Sequence, residues 1–262
     1  MARDFSRPFA AASAELLYPG ALAQGSKGPG VQRVQEWLTL AGFPCAVDSS
    51  YGPGTAKALA AFCTARGLPE AGALDVPTWD ALTAPLRHVL APMPAEGRGF
   101  QAMTALFAAR ILTELPTEVG PRQNDGPWVR SFMLGYDGDI WEWCAGFVCF
   151  VLAQAAHACN VRLLDILTPS FGAPELARDG KRRGRFISGA IAEAGRVQAG
   201  DVFVVPTAKG GWSHTGIVLA VDGARFTSVE GNTSTALSPA GYAVFSHTRP
   251  LRRVDFVRTG PL

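Results

Sequence analysis

Apolar residues in the first third of the chain recur at helical spacing. Val31, Val34, Trp37, Leu38 and Leu40-Ala41 follow Gly28-Pro29-Gly30 and predict a helix over about residues 30–41. Gly42 stands just past it, where a left-handed cap residue is expected. After Asp48-Ser49-Ser50-Tyr51-Gly52-Pro53-Gly54, Thr55 is expected to cap a second helix over about 56–66, ended by Gly67. Asp75-Val76-Pro77-Thr78-Trp79 opens a short third helix, with Thr78 or Asp75 near its N-cap and Leu82 on its buried side. Residues 90–99 carry four Pro or Gly and no apolar period, the composition of a linker.

Beyond residue 99 the pattern mixes helix and strand. Phe100, Met103, Leu106, Phe107, Ile111 and Leu115 keep 3–4 spacing, and a Gly/Pro-rich loop then leads to a shorter helix over 128–134. From Cys144 a long apolar helix runs to about His157. Gly200-Asp201 before the apolar run 202–205 reads as turn then strand. Residues 215–221 form a second strand with His214 at its start, and Asp222-Gly223-Ala224 turns the chain into an antiparallel return over 225–230. The expected class is α+β: a lead over 1–24, a three-helix bundle over 25–89, a linker over 90–99 and a larger domain over 100–262.

Composition narrows the function. At ~150 residues per domain, 262 residues make roughly two unequal domains. With 48% apolar and 18% charged residues the chain is not disordered. Lys and Arg total 24 against 22 acidic residues, a balance that asks for no nucleic acid. No apolar stretch approaches the ~20 residues of a membrane span. Arg3, Asp4, Arg7 and Glu15 interrupt the N-terminus, so no export signal is expected there. The basic run Arg178, Lys181, Arg182, Arg183, Arg185 reads as a solvated loop, with docking on an anionic polymer as the alternative.

Five cysteines at irregular spacing do not make a disulfide framework, although Cys45 and Cys63 remain a candidate pair beside the reading of two buried thiols. Neither C-x-x-C nor H-E-x-x-H occurs, so no metal and no cofactor are expected. Asp137-Gly138-Asp139 supplies too few oxygens for calcium and reads as a turn. Cys144, at the first or second helical position, is placed where the helix dipole favours a thiolate. Of four histidines, His214 is the best-placed base. A three-residue loop after Val221 pairs Val221 with Arg225 and His214 with Asn232, so that His214, Gly216, Glu230 and Asn232 share one face. A two-residue loop would turn Glu230 to the other face. Either Glu230 or Asn232 then orients the imidazole. Trp128, Trp141, Trp143 and Trp212 are candidate groove aromatics, and core packing accounts for Trp128 at least as well.

Two resemblances follow from these residues. Val31-x-x-Val34-Gln35-x-x-Leu38, Val47-Asp48-x-x-Tyr51-Gly52-Pro53-x-Thr55, Ala58-Leu59-x-x-Phe62 and Thr78-Trp79-x-x-Leu82 resemble the three-helix peptidoglycan-binding domain of bacterial cell-wall enzymes, with Cys63 where that family usually has Gln. Trp143-Cys144-Ala145-x-Phe147-Val148, Gly200-Asp201-Val202, His214-Thr215-Gly216-Ile217-Val218 and Glu230-Gly231-Asn232-Thr233 are similar to the CHAP family of cysteine- and histidine-dependent amidohydrolases/peptidases. Glu118 and Asn124-x-Gly126 fit one branch of it. The resemblance implies a papain-like fold, Cys144 as nucleophile, His214 as general base, Glu230 as its orienter and Asn232 as a further polar member. It implies a cofactor-independent peptidoglycan hydrolase cutting an amide in or next to the stem peptide, endolysin-like, its partners the glycan strand and stem peptide. A monomer acting on the cell wall in the periplasm or outside the cell is expected, without an export signal. The alternatives are a secreted antibacterial effector with a cognate inhibitor, and a non-catalytic wall-binding protein.

Overall fold

The computed structural model describes residues 9–69, 72–193, 195–235 and 241–261. Arg3, Asp4 and Arg7 of the N-terminal lead lie outside the described residues. In chain order the helices are α1 (Ala10–Glu15), α2 (Pro29–Leu40), α3 (Pro53–Arg66), α4 (Val76–Leu82), α5 (Ala84–Leu90), α6 (Phe100–Thr113), α7 (Pro127–Phe132), α8 (Cys144–Ala158) and α9 (Ala173–Arg182). The strands are β1 (Phe186–Ile187), β2 (Val202–Pro206), β3 (Trp212–Asp222), β4 (Arg225–Thr233), β5 (Ala243–Pro250) and β6 (Asp255–Val257). No helix among the described residues is long and apolar enough to cross a membrane. The class is α+β.

Two compact units divide the chain, and neither is continuous in sequence. One combines Phe9–Leu90 with Thr117–Trp141; the other combines Ala91–Pro116 with the chain from Glu142 onward. The segment 117–141, assigned by sequence to the second domain, is therefore part of the first.

The helical unit is built on α2 and α3, whose Val31, Val34, Trp37, Leu38, Leu59 and Phe62 are buried with Trp79 and Leu82 of α4. Gly67 ends α3 in the left-handed conformation (φ 64°), the cap position where glycine carries no steric cost. Asp75 caps α4 by accepting from the Thr78 N–H at 2.9 Å. Thr55 does not cap α3: the helix starts at Pro53 after Gly52, because proline at the first position needs no hydrogen-bond partner for its nitrogen. The Thr55 hydroxyl instead accepts from the buried Gln35 amide at 3.0 Å. Gln35 also donates to the Asp48 carboxylate and the Ser50 carbonyl, and its oxygen accepts from the Asp48 and Ser49 N–H groups. One side chain thus replaces the water that the 48–50 turn would otherwise need.

Segment 117–141 is held to these helices by Arg130 of α7. Its guanidinium donates to Glu15 (2.7 and 3.0 Å), Glu36 (3.2 and 2.6 Å) and Asp137 (2.9 Å). Glu36 is fully buried, and burial raises its pKa against the pull of Arg130. Trp128 meets Trp37 edge-on at 5.8 Å and stacks with Phe132 at 6.0 Å. The segment packs with this unit because its charge partners and its largest apolar side chain find their complements there.

The α+β unit contains an antiparallel sheet in the order β1-β6-β2-β3-β4-β5, with α6 and α8 against β3 and β4. Phe203, Phe226 and Phe256 cluster on the sheet, ring centroids 5.4 and 5.3 Å apart. The β3–β4 loop holds two residues, not three: Asp222 pairs with Arg225 and Val221 with Phe226. Gly223 takes φ 55° at the first loop position, as tight hairpin turns require. A bulge between Val218 and Ala220 then inserts one extra residue, and beyond it Val218 pairs with Ser228 and Ile217 with Val229. The bulge cancels the change of face that a two-residue loop imposes.

The basic run is not a loop. It ends α9, and its charges are committed: Arg178 pairs with Glu175, Arg182 and Arg183 with Asp179, and Arg185 donates to the Gly260 carbonyl. Lys181 lies over the Phe186 and Trp212 rings. All five cysteines are free, Cys63 buried and Cys45 half-buried, so the Cys45–Cys63 pairing is not made.

Candidate active site

Cys144 is the first residue of α8, with Trp143 as N-cap. The sequence supports this placement: Ala145, Phe147, Val148, Val151 and Leu152 are all buried, which fixes α8 in the unit's interior and leaves its first turn at a surface cleft. The unpaired N–H groups of that turn and the helix dipole face the thiol end of the helix. Cys149, one and a half turns on, is fully buried; it exchanges hydrogen bonds with Ser170, and burial pushes its thiol up to about 12.

His214, near the start of β3, stands between Cys144 and β4. Its Nε2 lies 2.9 Å from Oε2 of Glu230, and Cys144 is near enough to the imidazole to raise its pKa. With Nε2 engaged by the carboxylate, Nδ1 is the ring nitrogen left available to a thiol. Burial alone would lower the His214 pKa, but the contacts with Cys144 and Glu230 outweigh it and raise it to about 9.

Glu230 is fully buried, and each of its oxygens is engaged. Arg249 of β5 donates Nε to Oε1 and Nη2 to Oε2, both at 2.6 Å, and the Ser228 hydroxyl donates to Oε1 at 2.6 Å. Burial would raise the Glu230 pKa; Arg249 first and His214 second hold it down to about 2. Gly216 makes room for this arrangement. A Cβ there would lie 2.7 Å from the Val229 carbonyl oxygen and 3.0 Å from Glu230 Cγ. Neighbouring residues of β4 point to opposite faces, and Gly231 accordingly meets α8, where a Cβ would lie 2.6 Å from Phe147 Cβ.

Asn232 lines the cleft but does not reach His214 in the hydrogen-bond network. Oriented to satisfy both neighbours, its amide accepts from the Trp143 N–H at 3.1 Å and donates to the Gly241 carbonyl at 2.9 Å. It takes φ 51°, which asparagine tolerates better than other non-glycine residues. Asn232 therefore ties the end of β4 to the residue preceding Cys144.

The cleft has a volume of about 540 Å³ and is lined by Cys144, His214, Asn232, Arg249, Trp212 and Glu142 among others. Trp212 is a fixed wall: its Nε1 donates to Asp255 at 2.8 Å, and Lys181 lies 4.7 Å from its ring centroid. Trp128 and Trp143 are buried, and Trp141 stacks on Tyr136 at 4.6 Å in the helical unit. Glu118 and Asn124 do not line the cleft; the Glu118 carboxylate accepts from the Asn124 N–H at 2.8 Å and shapes the 117–141 segment. Asp137 is taken by Arg130 and Asp125 by Arg122. Among the described residues no three His, Cys, Asp or Glu converge as a metal site. Sequence reasoning missed Arg249 and Ser228. Ser228 alternates with Glu230 on β4 and was open to inference from strand period; Arg249 sits in a strand that carries no motif.

A family model described as a peptidoglycan binding domain matches residues 27–82, and the CHAP domain model matches residues 135–232. The chain thus carries a peptidoglycan-binding-domain match followed by a CHAP-domain match, in the modular order expected from sequence. No curated protein and no solved structure matches it. The CHAP match contains Cys144, His214, Glu230 and Asn232 and ends before Arg249. Its first residues, 135–141, belong to the compact unit that contains the peptidoglycan-binding domain.

Proposed function

We propose that this peptidoglycan hydrolase cleaves an amide bond in or next to the stem peptide through a Cys144 thiolate, in the manner of an endolysin. The observation that carries the reading is the set Cys144, His214 and Glu230: the first two line one cleft, and the buried carboxylate lies 2.9 Å from the imidazole behind them. Cys144 gives its proton to His214, and the sulfur adds to the amide carbonyl. Backbone N–H groups at the start of α8 are the donors available to the oxyanion. On collapse the C–N bond breaks, His214 returns the proton to the leaving amine, and a thioester remains. Water, deprotonated by His214, hydrolyses the thioester to a carboxylic acid and restores the thiol. Glu230, rather than Asn232, is the group that orients His214, since it lies at 2.9 Å from Nε2. Asn232 instead steadies the backbone ahead of the nucleophile. The helical unit supplies affinity for the wall and raises the local concentration of substrate.

The test is a comparison of wild type and Cys144→Ala on purified walls. Loss of turnover with wall binding retained is expected, and mass spectrometry of the released fragments identifies the bond cut. Full activity in Cys144→Ala overturns the assignment and favours a non-catalytic wall-binding role.

A further inference from the structure

We propose that Arg249 is a positioning residue for the hydrolytic reaction: its two-point grip on Glu230 fixes the carboxylate in the orientation that receives His214. The inference rests on the catalytic reading above and adds to it a residue outside the matched CHAP segment.

The geometry is that of a fork. Arg249 Nε and Nη2 each reach a different oxygen of Glu230 at 2.6 Å, so the carboxylate cannot rotate without breaking one contact. The Ser228 hydroxyl closes the same side, 2.6 Å from Oε1. That leaves Oε2 directed at Nε2 of His214. The arginine is itself fixed. Its side chain is 15% exposed, and its guanidinium carbon lies 5.2 Å from the centroid of Phe203, the ring that also crowds Gly216. The charged and titratable groups facing Glu230 are His214 from β3, with Cys144 of α8 behind it, and Arg249 and His247 from β5. His247 is half-buried; burial lowers its pKa, and its Nε2 lies 3.2 Å from the Thr233 hydroxyl. Arg249 is thus the permanent cation in the group. A lone carboxylate buried here would take up a proton, and a neutral acid would no longer hold the imidazole as its charged partner. Arg249 also lines the cleft, and its Nε and Nη2 are the nitrogens bonded to Glu230, so its positioning part is exerted through that residue.

The experiment compares Arg249→Met, Arg249→Lys and Cys144→Ala on a soluble stem-peptide fragment, across pH. Arg249→Met is expected to lose at least tenfold in kcat with little change in KM, and its acid limb is expected to move to higher pH as Glu230 becomes protonated. Arg249→Lys keeps the charge and loses the fork. Its acid limb is expected to stay near wild type while kcat falls severalfold. Wild-type kcat and an unmoved acid limb in folded Arg249→Met overturn the proposal. Should Arg249→Met fail to fold, wild-type kcat in Arg249→Lys overturns it instead. Loss of activity in Cys144→Ala alone leaves the catalytic reading intact and removes only the role of Arg249. Activity retained in Cys144→Ala removes both.

Discussion

Replacing Arg130 by Met tests whether segment 117–141 is held by charge. The guanidinium makes five hydrogen bonds to three carboxylates, two of them on the nearly or fully buried Glu15 and Glu36. Removing one partner of a buried ion pair costs about 3–5 kcal/mol, because the remaining charge stays buried without compensation. The pH dependence adds a second check. Burial already holds the folded-state pKa of Glu36 above the ordinary carboxylate value, and Arg130 opposes that rise. Without Arg130 the pKa climbs further, so the native variant binds a proton more readily than the unfolded chain. The variant's stability must therefore increase as pH falls toward the unfolded carboxylate range. Urea unfolding followed by tryptophan fluorescence reads this directly, since Trp37 and Trp128 touch in the same unit. The expected deficit is about 3–5 kcal/mol at pH 7.5, shrinking toward pH 5. A deficit below about 1 kcal/mol, the scale of an exposed pair, or one that does not change with pH, refutes the reasoning.

Gly216→Ala should cost about 1–3 kcal/mol in stability and, by pushing Glu230 from beneath His214, about 100-fold in kcat; a folded variant with wild-type turnover would show that the close approach is not needed. Iodoacetamide at pH 6 should modify Cys144 first and abolish activity with one label per chain, leaving Cys149 unreacted. Peptide mapping that finds Cys149 labelled first would count against the site. The pH profile of the melting temperature should have a plateau between the unfolded values of Glu230 and His214, 4.5 and 6.5. Above it the raised His214 loses its stabilising charge as pH rises through about 9; below it the depressed Glu230 loses its own as pH falls toward 2. Glu230→Gln should flatten the acid side, and a profile unchanged by that substitution would sink the assignment of charge to the pair.

Much of the site could be read from residue order alone, because its positions obey local rules. The apolar run behind Cys144 required a helix, and glycines or asparagines marked most of the turns. The hairpin register was harder. The loop proved one residue shorter than its Asp222-Gly223-Ala224 pattern suggested, and only the bulge near Leu219 returned Glu230 to the face of His214. Bulges arise from the fit of a whole strand to its neighbours and leave no short-range mark in sequence. Arg249 was hidden for a related reason: its partner is 19 residues away in the chain, reached through the β4–β5 pairing. The unit boundary escaped because sequence segmentation assumes contiguous domains, whereas Glu15, Glu36 and Arg130 meet across as many as 115 residues.

The interleaving of the two units alters what it means to cut this protein. Among the described residues the chain passes between them at 90–91, 116–117 and 141–142, so the stretch 91–99 leads into only one of these three crossings. A protease acting within 91–99 would sever one. The C-terminal fragment would still carry segment 117–141, with Arg130 and Trp128 seated on the N-terminal fragment, and the nicked halves should travel together until denatured. For the same reason the wall-binding half cannot be exchanged for another at the linker without leaving 117–141 unhoused, a few residues upstream of Cys144.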